Sequence, residues 1–301
     1  MYDIRFPHLG IVFRNIKEGF KVFGFEIKFY GVVIVIGFLL AFLMVSKEAK
    51  RTGQKEEDYL DLFLWIFIPS ILGARLYYVI FSWKEYFVRG QGIGKTLLGL
   101  INIRNGGLAI YGGVITGFIV AYIFAKKRKM SFPLIGDTAV CGILIGQILG
   151  RWGNFFNREA FGGYTDSLFS MCIPADYYQG NGSLNSLVAK GVITQEMAEH
   201  AKVIDGMNWI SVHPTFLYES VWNLILLILL LMYRKHKKFD GELCLMYFWG
   251  YGLGRVWIEG LRSDSLMIGP FKVSQLLAAL CVLVASALIV IGRLKKQKQT
   301  A

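Results

Sequence analysis

Arg255, Glu259 and Arg262 form a charged group near the end of an apolar stretch. Arg255 and Glu259 are four residues apart and Arg262 follows three residues later, so a helix places all three on one side, with Tyr251 one turn below. At the depth of lipid headgroups, such a face could bind an anionic group. Alternatively, Glu259 only neutralises a buried Arg255, and Arg262 anchors the helix end at the membrane surface.

A second polar group lies in the run Gly-Arg-Trp-Gly-Asn-Phe-Phe-Asn-Arg-Glu at residues 150–159. A guanidinium, two amides and a carboxylate converge there within two turns and can hold a polar headgroup by directional hydrogen bonds. Gly150 and Gly153 leave room for close approach to the backbone. The alternative is a polar helix end with caps, which explains one amide but not the whole group. The four side chains of this group are Arg151, Asn154, Asn157 and Glu159.

Three other apolar stretches also carry polar residues. Arg75 lies within the second stretch, Tyr111 follows glycines at the start of the third, and His213 and Glu219 open the fifth. Glycines at this spacing are typical of packing between transmembrane helices, and a histidine before proline is typical of a helix start. Each feature alone has a structural explanation, but together with the arginines they indicate a site.

The arginines indicate phosphate chemistry. The planar fork of a guanidinium suits bidentate phosphate binding, and Arg75, Arg151 and Arg255 could stabilise a departing phosphate without a metal. The sequence contains no recognisable two-metal cluster or Ser-His-Asp arrangement, and none of its four cysteines forms a CxxC pair. We therefore expect neither a metal nor a cofactor.

The composition is that of an integral membrane protein. Of the 301 residues, 54% are hydrophobic, 15% are aromatic and only 18% are charged. Lipid-facing helices with aromatic belts at the interfaces have this mixture. The formal net charge of +12 could indicate a nucleic-acid partner, but the basic residues form short clusters between long apolar runs, which excludes that class.

Seven apolar stretches have about the 20 residues that a helix needs to span the hydrocarbon core. Basic clusters follow the first, third, fifth and seventh stretches. The positive-inside rule therefore predicts an all-α bundle of seven transmembrane helices, with the N-terminus outside and the C-terminus in the cytoplasm. The predicted spans are residues 29–46, 60–82, 107–125, 133–150, 214–233, 242–260 and 272–292.

The rest of the chain divides around these spans. The long segment between spans four and five predicts a small extracytoplasmic head, with some helix such as Ile193 to Ile204. Phenylalanines and lysines near the start indicate an interfacial arm on the outer surface; a partly disordered tail is the alternative. The expected parts are the arm at 1–28, spans one to four at 29–150, the head at 151–213, spans five to seven at 214–292 and a basic cytoplasmic tail at 293–301.

Together these motifs resemble the bacterial prolipoprotein diacylglyceryl transferase family, and the resemblance spans nearly the whole chain. The run Gly-Arg-x-Gly-Asn-Phe-x-Asn-x-Glu at residues 150–159 is the most specific of five motifs in family order. The other four are Gly73-Ala-Arg-Leu-Tyr-Tyr78, Gly106-Gly-Leu-Ala-Ile-Tyr-Gly-Gly113, His213-Pro-Thr-Phe-Leu-Tyr-Glu219, and Tyr251-Gly-Leu-Gly-Arg255 with Glu259 and Arg262.

The resemblance implies a reaction and its partners. Family members transfer the sn-1,2-diacylglyceryl group from phosphatidylglycerol to the lipobox cysteine in the signal peptide of a preprolipoprotein, and the products are a thioether and glycerol phosphate. The family has seven spans and a site that faces the outer side. We accordingly expect a multi-pass monomer of the bacterial inner membrane whose partners are these two substrates.

The resemblance also implies roles for individual residues. Arg151 and Arg255 would grip the phosphoglycerol group, Glu259 would orient Arg255, and Arg262 would add positive potential at the product exit. With Tyr111, the residues Arg151, Arg255 and Glu259 form the expected catalytic set. The expected substrate-binding residues are Arg151, Asn154, Asn157, Glu159, Tyr30, Arg75, His213, Glu219, Tyr251 and Arg262.

Tyr111 departs from the family pattern, because some members have a histidine there that has been suggested as the base. A tyrosine, with an ordinary pKa of about 10, is a poorer base at neutral pH. Either a nearby arginine activates Tyr111, or the base is elsewhere, or none is needed because a cationic site favours the cysteine thiolate. We favour the last account and expect catalysis to be mainly electrostatic.

Two other functions compete with a lipid-to-thiol transferase. An anion or lipid transporter tends to show internal repeats and midplane breaks in corresponding halves, whereas the charges in this chain lie at one end of the spans. A non-enzymatic scaffold for membrane assembly would not need arginines and amides clustered at headgroup depth. The sequence therefore favours the transferase.

Overall fold

A computed structural model of the protein describes residues 3–86, 99–102, 106–179, 183–263 and 265–300. The chain divides into two compact units. The small unit is Val45–Thr138, and the large unit is Met1–Met44 together with Ala139–Ala301. Both units consist mainly of long apolar helices, and the large unit also contains a β-sheet.

Seven long helices lie within the described residues, at the positions of the seven predicted spans. The fourth continues past residue 150 to Asn157, so the part of the 150–159 run that carries Arg151 is helical. The seventh continues to Thr300 and includes the described part of the predicted tail. The helices are α1 Phe29–Arg51, α2 Glu56–Phe81, α3 Ile110–Arg128, α4 Phe132–Asn157, α5 Thr215–Tyr233, α6 Glu242–Leu261 and α7 Val273–Thr300.

Six of these helices are long and apolar enough to cross a membrane. In the most apolar window of α1, α2 and α7 only 11% of the residues are buried, so their apolar side chains are available to lipid. The remaining long helix, α6, is not among the six, and its sequence contains several glycines together with Arg255 and Glu259. The mostly helical, membrane-embedded character of the chain thus agrees with the prediction.

Short β-strands also occur in the large unit, and the predicted all-α class did not include them. They contain two to six residues each, and most lie before α1 or between α4 and α5. The strands are β1 Ile4–Phe6, β2 Ile11–Phe13, β3 Gly19–Val22, β4 Phe25–Lys28, β5 Met171–Pro174, β6 Lys202–Ile204, β7 Met207–Val212, β8 Met267–Ile268 and β9 Phe271–Lys272.

Five of the strands form one antiparallel sheet in the order β2-β1-β5-β7-β6. Arg5 pairs with Cys172, which in turn pairs with Ser211, so the start of the chain is joined to the segment after α4. Ile4 and Ile173 are fully buried in the sheet's apolar core. Strands β3 and β4 form a separate hairpin that leads directly into α1, and β8 and β9 form another before α7.

The segment between α4 and α5 has less helix than the sequence predicts. Helix was expected over Ile193 to Ile204, but only Gln195–Glu199 is helical, and Lys202–Ile204 is strand β6 paired with β7. Residues 3–28, predicted as an interfacial arm, contain strands β1 to β4. The remaining short helices are Trp83–Tyr86, Asp176–Gln179 and Leu184–Ala189, with a 3-10 turn at Pro7–Leu9.

In the small unit, α2 and α3 pack together through glycines. A Cβ built at Gly112 would lie 2.3 Å from the carbonyl oxygen of Gly73, and one built at Gly73 would lie 2.0 Å from Thr116 Oγ1. The backbone N–H of Ala109 donates to the carbonyl of Ala74, 3.0 Å away. The glycines around Tyr111 and in the Gly-Ala-Arg motif therefore serve close helix packing, as the structural explanation of their spacing predicts.

In the large unit, glycines of α6 let α5 approach closely. The indole N–H of Trp222 donates to the carbonyl of Gly250 over 2.9 Å, and a Cβ at Gly254 would meet the same indole at 2.3 Å. At the other end of the two helices, fully buried Glu242 accepts from Tyr233 on α5 and from Arg293 on α7. These contacts fix α5, α6 and α7 with respect to one another.

Replacing Gly112 by alanine should loosen the packing of α2 against α3. Its methyl group would have to displace backbone atoms of Gly73, and overpacking of this kind costs about 1–3 kcal/mol. The matched control is Gly113→Ala, whose Cβ would meet its nearest neighbour at 3.4 Å, an ordinary contact. We expect Gly112→Ala alone to lower the thermal unfolding temperature in detergent; equal temperatures for the two variants would refute this packing.

Candidate functional site

Glu219 bridges two arginines from different helices of the large unit. Its Oε1 lies 2.7 Å from Nη2 of Arg151 on α4, and its Oε2 accepts a hydrogen bond from Nη1 of Arg255 on α6 over 2.9 Å. Tyr251, one turn below Arg255, donates from its hydroxyl to the same carboxylate over 3.3 Å. The last turns of α4 and α6 and the first turns of α5 thus meet at one carboxylate.

A second carboxylate holds Arg255 from its own helix. Glu259 Oε2 lies 2.6 Å from Arg255 Nη2 at the i,i+4 spacing that the sequence predicts. Both Glu219 and Glu259 are buried, with side chains only 3% exposed. Two guanidiniums and two carboxylates balance one another, so the group that the sequence suggests as cationic carries little net charge at rest.

The guanidiniums still have donors for a ligand. Each has five N–H groups, and the contacts with Glu219, Glu259 and Asn154 engage only some of them. Arg151 is 23% exposed and Arg255 is 16% exposed, whereas the carboxylates between them are closed off. A ligand with several acceptor oxygens could therefore reach both guanidiniums while they remain oriented.

The two amides of the 150–159 run, Asn154 and Asn157, lie beside Arg151 and both contact Glu159. Asn154 Oδ1 lies 3.5 Å from Arg151 Nη1, at the outer limit for a hydrogen bond, and its Nδ2 donates to Glu159 Oε1 over 3.1 Å. Asn157 donates to the same oxygen over 3.2 Å. The predicted convergence of this run is therefore present, as a continuous series of polar contacts that begins at Glu219.

Glu159 reaches back to the helix because the chain turns sharply after Asn157. Arg158 adopts a left-handed conformation with φ 50°, which is costly for a residue with a Cβ, and the N–H of Glu159 donates to Asn154 O. The buried Arg158 side chain supports this turn by donating to Ile16 O over 2.7 Å and by stacking 4.5 Å from the ring of Tyr177. Burial raises the pKa of Tyr177 to about 12, so its hydroxyl keeps its proton.

Tyr30 packs directly against the backbone of α4 beside Asn154. A Cβ built at Gly153 would be 2.4 Å from Tyr30 Cδ2, so only glycine leaves room for the ring. The tyrosine is the second residue of α1 and follows the β3–β4 hairpin, which fixes where the helix begins. The structure thus places Tyr30 against Gly153, the residue that immediately precedes Asn154.

His213 belongs to the backbone framework around the site. Its N–H donates to Gly163 O over 3.0 Å, its carbonyl accepts from Gly162, and its Nδ1 lies 3.3 Å from the hydroxyl of Tyr218. Burial lowers the pKa of His213 below its usual value, so the ring is neutral at neutral pH. It therefore adds no positive charge to the site under those conditions.

Lys272, which no motif in the sequence points to, closes the end of α6. Its ammonium donates to the carbonyls of Glu259, Gly260 and Arg262 at 2.8, 3.0 and 2.6 Å. A lysine at these last carbonyls is a favourable end to a helix. The only signal in the sequence is a basic residue shortly after the helix, which is too common to identify a cap. Lys272 thereby fixes the turn that carries Glu259 and precedes Arg262.

Arg75 and Tyr111 lie in the small unit. Arg75 is buried, and its guanidinium donates to four backbone carbonyls of the segment before α3, with N···O distances of 2.6–2.9 Å. The rings of Tyr78 and Tyr86 lie 5.7 and 5.5 Å from its Cζ. Arg75 therefore orders the loop before Tyr111. The four acceptors are Gly99, Leu100, Gly106 and Gly107.

The comparisons with known proteins agree with these motifs. The family profile for prolipoprotein diacylglyceryl transferase matches residues 17–291. The chain belongs to the prolipoprotein diacylglyceryl transferase family. Two relatives named phosphatidylglycerol–prolipoprotein diacylglyceryl transferase are similar to most of it: that of Clostridioides difficile is 36% identical, covering 89% of this chain and 91% of its own, and that of Bacillus cereus is 39% identical, covering 95% of each.

Membership of the prolipoprotein diacylglyceryl transferase family confirms the resemblance seen in the motifs. It identifies the chain as a transferase of lipoprotein biosynthesis, and with the apolar helices it indicates a multi-pass membrane protein. Nothing in the comparisons supports the transporter alternative. The roles of individual residues are a separate question, because a family match assigns none of them.

Substituting Gly153 tests whether the position of Tyr30 matters to the transferase. In Gly153→Ala the new methyl group would displace the Tyr30 ring, so we expect at least about a tenfold loss of kcat/KM, the change that a misplaced substrate-contacting group commonly causes. Gly150→Ala is the control, since a Cβ there meets nothing within 4 Å. Transfer at the wild-type rate by Gly153→Ala would rule out a role for this contact.

Proposed function

We propose that the protein transfers the sn-1,2-diacylglyceryl group of phosphatidylglycerol to the lipobox cysteine of preprolipoproteins. The observation that carries this proposal is the Glu219 carboxylate held between Arg151 and Arg255. A carboxylate and a phosphate are both anions that guanidiniums bind through paired N–H donors. Two guanidiniums already positioned around one anion can therefore form a binding site for the phosphate of the lipid.

The reaction is a displacement at carbon. The cysteine sulfur forms a bond with the sn-3 carbon of the diacylglyceryl group, and the bond between that carbon and the phosphate oxygen breaks. The electron pair of that bond leaves with glycerol phosphate, so the phosphate gains one negative charge, and the thiol proton is released. Arg151 and Arg255 stabilise the new charge because their donors are fixed before the reaction begins.

The neighbouring residues hold and orient the headgroup in this proposal. Glu219 and Glu259 fix the guanidiniums, and the phosphate binds the N–H donors that the carboxylates leave free. Asn154 and Asn157 offer amides, joined through Glu159, to the polar part of the lipid. Tyr30, His213, Glu219, Tyr251 and Arg262 complete the substrate-binding set, with Arg262 adding positive potential where glycerol phosphate leaves.

The proposal includes a membrane topology for the chain. All seven long helices cross the membrane, including α6, whose Arg255 and Glu259 neutralise each other. The basic residues at the ends of α1, α3 and α7 and those that follow α5 lie in the cytoplasm. The N-terminus and the strands before α1 and between α4 and α5 are then outside, and the site faces the outer side of the bacterial inner membrane. We propose that the protein acts there as a monomer.

Tyr111 and Arg75 have supporting roles in this account. Arg75 is a positioning residue, because its donors bind the carbonyls of the loop that leads to Tyr111. Tyr111 contacts substrate without acting as the base, since the N–H donors that Arg151 and Arg255 leave free stabilise the cysteine thiolate. Substitution of Tyr111 should therefore affect the transfer rate much less than substitution of Arg151 or Arg255.

The test uses purified protein in detergent, labelled phosphatidylglycerol and a lipobox peptide, with a Cys→Ser peptide as the control for the acceptor. Arg151→Ala and Arg255→Ala should each lower kcat/KM by about 10²- to 10³-fold, as removal of one fixed donor does elsewhere. Arg14→Ala, a substitution of an exposed arginine, is the matched control and should have no effect.

Tyr111→Phe belongs in the same experiment and should retain substantial activity. Equal losses in Tyr111→Phe and Arg255→Ala would overturn the electrostatic account. Absence of lipid on the cysteine with the wild-type protein would refute the transfer itself.

A further inference from the structure

A second polar layer lies one turn below the guanidiniums. Gln147 precedes Arg151 by four residues on α4, and Asn223 follows Glu219 by four residues on α5. Residues at this spacing share one face of a helix. On α6 the same spacing leads from Arg255 through Tyr251 to a further tyrosine. The members of this layer are Gln147, Asn223, Tyr247 and Tyr251.

Contacts join this layer to the site above it. Gln147 Nε2 donates to the hydroxyl of Tyr247 over 2.8 Å. The rings of Tyr247 and Tyr251 are stacked with centroids 5.6 Å apart, and Tyr251 donates to Glu219. The layer is therefore continuous with the carboxylate that holds Arg151 and Arg255.

Three polar atoms of the layer have no hydrogen-bond partner among the described residues. Asn223 is 0% exposed, yet neither its Nδ2 nor its Oδ1 has a partner, and Gln147 Oε1 is also buried and unpartnered. Most buried polar side-chain atoms in folded proteins are paired, because an unmade hydrogen bond destabilises the fold. An apolar side chain at residue 223 would avoid this cost, so the amide indicates a ligand.

The protein below the layer is apolar, so the polar stripe ends there. The layer packs against a core cluster whose other buried members, from the same helices, are aliphatic or cysteine. Beyond Asn223 the buried residues of α5 are leucines, and the next polar side-chain group on this helix is the Tyr233 hydroxyl at its far end. These buried neighbours are Val140, Cys141, Leu144, Leu226, Leu227, Leu230 and Leu243.

The unpartnered atoms suit a neutral hydroxyl group. They comprise one amide donor and two carbonyl acceptors, and a hydroxyl can both donate and accept. The layer carries no formal charge of its own, so it would not neutralise a second phosphate or a cation. A hydroxyl group satisfies the amides of Asn223 and Gln147 without bringing in a charge.

We infer that Asn223 and Gln147 bind the terminal hydroxyl of the lipid's glycerol headgroup; this inference rests on the proposed function. One helical turn of four residues separates the layer from the guanidiniums by about 6 Å. In phosphatidylglycerol, five single bonds join the phosphorus to that hydroxyl oxygen, which is roughly 6 Å in an extended chain. With its phosphate at Arg151 and Arg255, the headgroup therefore reaches Asn223, which gives the site a preference for hydroxyl-bearing headgroups.

The experiment compares three lipid donors with the purified protein and a lipobox peptide. Phosphatidylglycerol has both headgroup hydroxyls, phosphatidyl-1,3-propanediol keeps only the terminal one, and phosphatidyl-1,2-propanediol lacks it. We expect the wild type to use the first two with similar kcat/KM and the third at least about tenfold less well, because the amides are then left unpaired.

Asn223→Leu removes both amide atoms with little change in volume. We expect it to lower kcat/KM for phosphatidylglycerol to the value that the wild type shows with phosphatidyl-1,2-propanediol. The kcat/KM for phosphatidyl-1,2-propanediol itself should stay within about twofold of the wild-type value. The unfolding temperature should not fall. Gln147→Met should reduce the same preference and gives a second test if Asn223→Leu does not fold. Leu227→Met, a buried substitution on the same helix, is the control and should keep the wild-type preference.

The outcomes separate the two proposals. Transfer with the wild-type preference in folded Asn223→Leu or Gln147→Met overturns the inference. No preference in the wild type overturns it as well. No transfer by the wild type from any donor overturns the proposed function, and with it this inference.

Discussion

Glu219 and the two arginines that it holds set the positions of the surrounding helices. A buried carboxylate between Arg151 and Arg255 is stable only if both ion pairs have good geometry, since removing one partner of a buried pair typically costs about 3–5 kcal/mol. Three helices, α4, α5 and α6, must therefore meet at the turns that carry these residues. The glycines of α6, which allow close contact with α5, make this possible.

Elements outside the helices hold the same turns in place. Arg158, in a left-handed conformation, directs Glu159 back to Asn154, and Lys272 binds the carbonyls at the end of α6. The backbone of the segment before α5 pairs with Gly163, whose N–H also donates to Leu261 O. The strands and turns of the large unit are therefore part of the site's support.

Before the lipid binds, the two arginines and two glutamates have little net charge, and this is consistent with a site that binds an anion. Two guanidiniums without counter-ions at a helix boundary would repel each other, and Glu219 and Glu259 prevent this. In the proposed reaction the phosphate becomes more negative, so fixed donors interact more strongly with the transition state than with the intact lipid. This difference, and not tight binding of the substrate, is what accelerates a reaction.

The local features of the fold and site were predictable from the sequence. The apolar stretches predicted the seven long helices, and the pair Arg255 and Glu259 followed from helical spacing alone. The convergence of Asn154 and Asn157 on Glu159 also depended on neighbours in sequence. Each of these contacts spans at most five residues, so closeness in sequence brings the groups together. Only the Arg255–Glu259 pair follows from helix geometry, whereas the contacts of Glu159 also need the left-handed turn at Arg158.

Contacts between distant segments were not predictable in the same way. The sheet joins Arg5 to Cys172 through short strands, which have little periodicity to detect. The bridge made by Glu219 depends on which face of α5 meets α4 and α6, and that is set by tertiary packing. Arg75 was expected to bind substrate and is now proposed to position the loop before α3, because its guanidinium donates to carbonyls that could not be foreseen without the fold of that loop.

The most direct test of the account is the transfer rate of Glu219→Gln. This substitution keeps the shape of the side chain and removes its charge, so Arg151 loses its ion pair with Glu219 and Arg255 keeps only the one with Glu259. The account predicts that the protein folds and that kcat/KM falls at least about tenfold, equivalent to about 1.4 kcal/mol. Glu57→Gln, at an exposed position in the small unit, is the control and should be unaffected. Wild-type kcat/KM in Glu219→Gln would contradict the central claim.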